Sequence, residues 1–278
     1  MSGPASAASA DRAVLPAPVL SVVVPVKNEA GNVLPLIAEI EAACAPLGAF
    51  EIVYVDDGST DATAAELAAA RATRPHLRVV RHAASCGQSA AVRSGIRAAR
   101  APLVATIDGD GQNDPAFIPA LVAALEAGGP RCGLCAGQRT SRKGRFKAFQ
   151  SRIANGVRRR VLADATRDTG CGLKVVRRDV YLMLPYFDAL HRFMPALVAR
   201  EGYGVVHVDV KDRPRLAGTS KYGMLDRLFV GILDLAGVWW LIRRRRRIAD
   251  AREVSAPEIP APERNVNVGS PISEGSSR

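Results

Sequence analysis

The chain has 278 residues, 48% hydrophobic and 5% aromatic, with 38 Lys and Arg against 27 Asp and Glu, a formal charge of +11. That length holds one large α/β domain with a real core, and the apolar content excludes a wholly disordered chain. The basic clusters at Arg139–Lys147, Arg158–Arg160 and Arg243–Arg247 carry no interleaved aromatics and no zinc-finger or RNA-recognition signature, so nucleic acid is not the expected partner.

Residues 1–17, rich in Ser, Ala and Pro without an apolar run of signal-peptide length, read as a tail. Val19–Pro25 is apolar and β-branched, a strand. Gly31–Ala45 has helical spacing through Val33, Leu36, Ile37 and Ile40. Phe50–Val55 is a strand, followed by a helix over Asp61–Thr73 with Asp61 as its N-cap. Leu77–Arg81, Gln88–Arg100 and Pro102–Ile107 continue the alternation as strand, helix and strand. Pro115 then opens the next helix at a first-turn position. Such a βαβα rhythm predicts a mostly parallel sheet with helices on both faces. After the strand Cys132–Ala136 it breaks into a basic helix near Phe146–Leu162, a short strand after Lys174, a helix ending before Pro185, and the strand Val205–Val210. Residues 18–223 read as one catalytic domain.

Five cysteines, an odd count, argue for reduced thiols. Cys132 and Cys135 form a lone CxxC inside a strand, without the second pair or the histidines that zinc needs, and read as small apolar filling. Cys44, Cys86 and Cys171 take the same reading.

Chemistry concentrates at two strand ends. Asp108-Gly109-Asp110-Gly111-Gln112 follows the buried strand Pro102–Ile107, and carboxylates at i and i+2 point the same way. Hard oxygen ligands in that pattern suit Mg²⁺ or Mn²⁺, which completes its shell with substrate phosphates and water. Asp56-Asp57-Gly58-Ser59-Thr60-Asp61 follows the strand ending at Val55. Open α/β sheets bind ligands outside the carboxyl ends of their strands, so the two turns together predict a nucleotide-diphosphate site.

Met224–Ile242, followed by five arginines, is expected to be a helix. Asp226, Arg227 and Asp234 argue against a membrane span, since each charge costs roughly 3 kcal/mol at the bilayer centre. On a helical wheel Leu228, Ile232, Leu235, Trp239 and Ile242 collect opposite Asp226 and Asp234. With Trp239 and Trp240 beside the basic block, residues 224–248 read as an amphipathic interfacial helix on acidic lipid, the alternative being a helix packed on the domain with a solvated basic end. Residues 249–278 read as a second tail.

Five stretches in order resemble glycosyltransferase family 2, in its dolichyl-phosphate mannose synthase-like, polyprenyl-phosphate branch. They are Val24-Pro25-Val26-Lys27-Asn28-Glu29, Val55–Asp61, Gly87-Gln88-Ser89-Ala90-Ala91, Asp108–Pro115, and Gly218-Thr219-Ser220-Lys221-Tyr222. The resemblance covers residues 18–242. It implies a GT-A fold and a metal-dependent, inverting transfer of a sugar from a GDP- or UDP-sugar donor to a polyprenyl phosphate, the cofactor being Mg²⁺ or Mn²⁺. It places the metal on Asp108, Asp110 and Gln112, and the donor among Pro25, Asn28, Glu29, Asp56, Asp57, Gln88, Asp108, Ser220 and Lys221. The acceptor phosphate falls to Arg139, Arg142 and Lys147, and the catalytic set is Asp110, Arg139 and Lys221. Asp168 and Lys174 match the family's segment behind the metal site. His191-Arg192 matches another of its motifs, although a lone histidine reads as structural.

A polyprenyl phosphate is already largely dianionic at neutral pH, because its second pKa lies near ~6, so no catalytic base is expected. The alternative is a soluble member of the family acting on a saccharide or other hydroxyl, which would need one. Two departures stand out. Ser85 occupies a position where the family often has Asn, and one ambivalent helix replaces the two or more transmembrane helices of many relatives. The expected location is the cytoplasmic face of the cell membrane, peripheral or monotopic, or the cytoplasm. A separate membrane protein is the expected partner for the product.

Overall fold

The computed structural model describes residues 16–140, 156, 160–162, 166–213 and 224–244, with the backbone alone for 224–230. Seven strands form one sheet: β1 (Leu20–Val26), β2 (Phe50–Asp56), β3 (Leu77–Arg81), β4 (Leu103–Thr106), β5 (Cys132–Arg139), β6 (Lys174–Arg177) and β7 (Gly204–Val210), in the order β3-β2-β1-β4-β6-β5-β7. Strands β3, β2, β1 and β4 run parallel, as do β5 and β7, while β6 is antiparallel to both of its neighbours. The mostly parallel α/β sheet expected from the alternation is present. The short strand expected after Lys174 is β6, and its antiparallel insertion between β4 and β5 is what periodicity did not announce.

The strands read as unbroken apolar runs because both faces are covered. Val22, Val24, Ile52, Tyr54, Leu103 and Ala105 enter one core layer, and Val23, Val53, Val55 and Val104 the other. The first layer is closed by α1 (Val33–Cys44), α2 (Thr63–Ala72) and α4 (Ile118–Ala127). The second is closed by α3 (Gln88–Ala98), α5 (Arg178–Met183), α6 (Leu190–Arg200) and α7 (Met224–Arg243). Asp61 caps α2 from one residue further out than expected. The N-cap position is Ala62, and Asp61 Oδ1 accepts from the Thr63 N–H at 3.0 Å and from its hydroxyl at 2.6 Å.

Helix α7 orients differently from the helical-wheel expectation. Val238 is buried, and Leu235 and Ile242 pack against the second core layer, with Arg200 Nε donating to the Leu241 carbonyl at 3.0 Å. Asp234 lies on this half-buried side, where burial and the nearby Asp188 raise its carboxyl against the pull of Arg192. Ile232, Leu233, Trp239 and Trp240 face outward, Ile232 being 56% and Trp240 54% exposed. The predicted stripe is therefore split: its smaller part covers the core and its aromatic part faces away from the protein. Arg243 stacks over Trp239 at 4.6 Å and Arg244 over Trp240 at 5.8 Å. Among the described residues no helix is long and apolar enough to cross a membrane.

Candidate active site

The carboxyl ends of β1, β2 and β4 bring the predicted motifs together. Two loops clasp each other at the first two strands. Asn28, at φ 57°, donates its N–H to Ser59 Oγ at 3.0 Å and accepts from the Thr60 N–H at 2.8 Å. The Glu29 N–H reaches Thr63 Oγ1 at 2.9 Å, while its carboxylate accepts from Asn32 Nδ2 at 2.8 Å. Pro25 sits in β1 beside these loops. Asp56 is fully buried. Its Oδ1 accepts from the Ser59 N–H at 2.9 Å, and its Oδ2 lies 3.2 Å from Arg81 Nε without an aligned hydrogen bond.

Asp57 has a bracing position. Its Oδ1 meets the Cys86 N–H at 2.8 Å and His82 Nδ1 at 2.7 Å, and its Oδ2 accepts from Ser85 Oγ at 2.7 Å and the Gly87 N–H at 2.9 Å. Burial works against its charge, but these donors outweigh it and hold the carboxyl below the usual carboxylate range. Ser85, the departure from the family's Asn, thus serves Asp57. Asp57, His82 and Cys86 also lie close enough for their ligand atoms to fall within 4.8 Å of one another. Asp57 is already engaged by four donors, and His82 Nε2 by Ser94 Oγ at 2.9 Å, so these side chains are joined in hydrogen bonds that hold the loop. Cys86 is exposed, unlike the buried filling expected of it; Cys44, Cys132, Cys135 and Cys171 are buried and free.

The acidic turn after β4 faces the segment from Asp168 to Lys174, which periodicity did not place but the family resemblance put behind the metal site. Strand β6 pairs Lys174 with Thr106 and with Ala136, so residues 168–173 arrive at the carboxyl end of β4. Gly172 packs directly on the Asp108 carboxylate, leaving no room for a Cβ. Lys174 is 2% exposed and donates to the Cys171 carbonyl, and burial lowers its pKa. Gln88 Nε2, at the start of α3, donates to Asp108 Oδ1 at 2.7 Å. Asp110 Oδ1 accepts from the Gln112 N–H at 3.1 Å. Burial, with Asp110 next, pushes the Asp108 carboxyl up to about 6 despite Lys174 and Arg139. Asp108 and Asp110, two carboxylates close enough that Asp110 raises the Asp108 carboxyl, with Gln112 following in the same turn, form a hard-oxygen donor set that fits a divalent cation.

A cavity of about 300 Å³ opens beside this turn, lined by Gln88, Asp108, residues 169–172, His191 and Arg192. His191 Nδ1 lies 2.7 Å from Ser89 Oγ, tying the start of α6 to the start of α3, and burial pushes its imidazole down to about 3. Sequence reasoning set His191 aside as structural, and the structure places it on the cavity wall. Its signal was the family motif it shares with Arg192.

Arg139 ends β5. Its Nε and Nη2 grip Asp168 at 2.5 and 3.0 Å, and Nη1 meets Asp212 at 3.2 Å. The hydrogen bonds to Asp168 raise its pKa further. Asp212 carried no sequence signal. Arg142, Lys147, Ser220 and Lys221 lie outside the described residues.

A family model for glycosyl transferase family 2 matches residues 21–182. A dodecaprenyl-phosphate galacturonate synthase of Rhizobium johnstonii is 39% identical over 241 residues, covering 82% of this chain and 68% of that protein. An undecaprenyl-phosphate 4-deoxy-4-formamido-L-arabinose transferase of Edwardsiella ictaluri is 35% identical over 209 residues, covering 74% and 63%. The chain thus spans about two thirds of the length of these curated relatives. Among solved structures, a mannosyltransferase of Pyrobaculum calidifontis in complex with GDP-Man and Mn²⁺ matches with a TM-score of 0.61 at 21% identity, covering 83% of this chain and 65% of that one. A glucosyl-3-phosphoglycerate synthase of Mycobacterium tuberculosis with Mn²⁺, uridine diphosphate and its product matches with a TM-score of 0.59 at 21% identity, covering 81% and 80%. At that identity the likeness speaks for the fold, and it agrees with the GT-A architecture expected from the motifs.

Proposed function

The chain belongs to glycosyl transferase family 2, and on that premise we propose that it transfers a sugar from a nucleotide-diphosphate donor to a polyprenyl phosphate at a membrane surface. The observation that carries the choice of acceptor is the composition of the cavity wall. Among the described residues lining it, Asp108 is the sole carboxylate, and His191, pushed down to about 3, is too weak a base to deprotonate a sugar hydroxyl at neutral pH. A phosphate acceptor needs no such base. The names of the curated relatives, both transferases acting on polyprenyl phosphates, support the same reading.

In this reading a phosphate oxygen of the acceptor attacks the anomeric carbon. The bond from that carbon to the donor diphosphate breaks, the nucleoside diphosphate leaves with the electron pair, and the configuration inverts. Asp108, Asp110 and Gln112 would hold a Mg²⁺ or Mn²⁺ ion, which supplies charge neutralisation for the leaving diphosphate. The loops carrying Asn28, Glu29 and Asp56 would position base and ribose, and Gln88 orients Asp108. Arg139, with Arg142 and Lys147, would meet the acceptor phosphate, and Ser220 and Lys221 the diphosphate. Arg192 on the cavity wall, together with the galacturonate named in one relative, puts an acidic sugar first among donors to try. The outward aromatic face of α7, capped by Arg243 and Arg244, supports peripheral seating on acidic lipid, with a membrane partner to take the product.

The test incubates purified protein with Mg²⁺ or Mn²⁺, a short polyprenyl phosphate and a panel of labelled UDP- and GDP-sugars, and counts label extracted into organic solvent. Extractable label abolished by chelator is expected. Transfer only to water-soluble hydroxyl acceptors would overturn the choice of acceptor.

A further inference from the structure

Asp212 lies two residues beyond β7, away from every sequence motif, yet it bonds to both sides of the site. Its Oδ2 accepts from Arg139 Nη1 at 3.2 Å and its Oδ1 from Asn113 Nδ2 at 3.4 Å. The backbones of Asn113 and Asp212 form an antiparallel bridge, and Asn113 Oδ1 accepts from the Asp108 N–H at 3.4 Å. The next residue extends the clamp. The Arg213 N–H donates to the Gln112 carbonyl at 2.9 Å, and its guanidinium meets Asp114 at 2.6 Å and Glu39 at 2.7 Å. Both the start and the end of the acidic turn are therefore attached to the Asp212–Arg213 pair.

On the other side, Arg139 is already matched by a bidentate bond to Asp168, which also accepts from the Gly170 N–H at 3.2 Å on the cavity wall. A second carboxylate is not needed to neutralise Arg139. Its distinguishing property is that its two oxygens face two different parts of the site.

We propose that Asp212 is a positioning residue that couples Arg139 to the Asp108–Gln112 turn, so that acceptor-side charge and metal-holding carboxylates are set in place together. This rests on the reading of the acidic turn as a cation site in a sugar transferase. Groups that orient ligands from behind alter metal affinity by about 10–100-fold when removed.

The experiment measures Mn²⁺ binding to the full chain by the electron paramagnetic resonance of free Mn²⁺, with UDP or GDP present and no acceptor. Asp212→Asn and Arg139→Lys are each expected to weaken Mn²⁺ binding about tenfold, although neither residue belongs to the proposed ligand set. Asn113→Ala, which interrupts the path to Asp108, should reproduce the loss. The double variant Asp212→Asn/Arg139→Lys should be no weaker than the weaker single one, as expected of residues acting along one path. With polyprenyl phosphate added, Asp212→Asn should lower kcat and raise the acceptor KM. Unchanged Mn²⁺ affinity in Arg139→Lys and Asn113→Ala would overturn the coupling, and both variants read it even where Asp212→Asn does not fold. Multiplying losses in the double variant would overturn it as well. A wild-type chain that binds no Mn²⁺ with either nucleotide would remove the cation reading and the coupling together, whereas wild-type binding with unaffected variants removes the coupling alone.

Discussion

Gly172 lies against Asp108 so closely that any side chain at 172 would occupy the volume of the Asp108 carboxylate. The two residues are far apart in sequence, and β6, inserted antiparallel beside β4, brings them together. Gly172→Ala should displace the first carboxylate of the acidic turn while leaving both core layers intact. Loss of nearly all metal-dependent activity is expected, with a thermal midpoint lowered by only a few degrees. Wild-type activity in this variant would show that Asp108 is free to move and need not occupy its observed position.

Asp108 and Asp110 are proposed to hold the cation, so Asp108→Asn and Asp110→Asn should each reduce turnover by about a hundredfold or more, by loss of charge stabilisation at the leaving diphosphate. Titrating Mn²⁺ and Mg²⁺ against transfer rate checks this. Activity retained in both variants would remove the assignment.

Asp57 organises the loop over residues 82–87 through four donors. Asp57→Ala would leave the Cys86 and Gly87 N–H groups without their acceptor, at about 2–4 kcal/mol in all. Urea unfolding should show that loss as a lower midpoint. The folded carboxyl titrates below the ordinary aspartate value of 3.8, so its contribution is present above that pH and disappears as pH falls through the lower folded value.

His191 gives a different acid signature. Burial pushes the folded imidazole down to about 3 from the ordinary histidine value of 6.5, so the unfolded chain takes up a proton in that window while the folded chain does not. Stability should therefore fall as pH drops from 6.5 towards 3, with a slope approaching one proton. In His191→Gln the slope between about pH 4 and 6 should be smaller by that proton. Equal slopes in urea titrations of the two proteins would contradict a buried neutral imidazole.

The outward face of α7 can be read by vesicle co-sedimentation. Trp239→Ala/Trp240→Ala should weaken binding to phosphatidylglycerol vesicles severalfold, and rising salt should weaken the wild type, since screening at ~0.15 M acts over about 8 Å. Binding indifferent to both changes would make this face something other than a lipid contact.

Local patterning carried much of this protein. Unbroken β-branched runs marked the parallel strands because both sheet faces are covered, and the acidic turns announced themselves because a strand's end aims carboxylates at i and i+2 together. Those signals lie within a few residues and need no partner. The antiparallel β6, Gly172 on Asp108, His191 on the cavity wall and Asp212 between Arg139 and Asn113 depend on residues tens of positions apart, and only the packed chain sets their distances. Helix α7 shows the same division. The sequence determined that it would be amphipathic, but the packing of Val238 and Ile242 on the second core layer decided that its tryptophans face outward. A hydrophobic pattern specifies that a face will be buried, and the shape of the neighbouring surface selects which part of it.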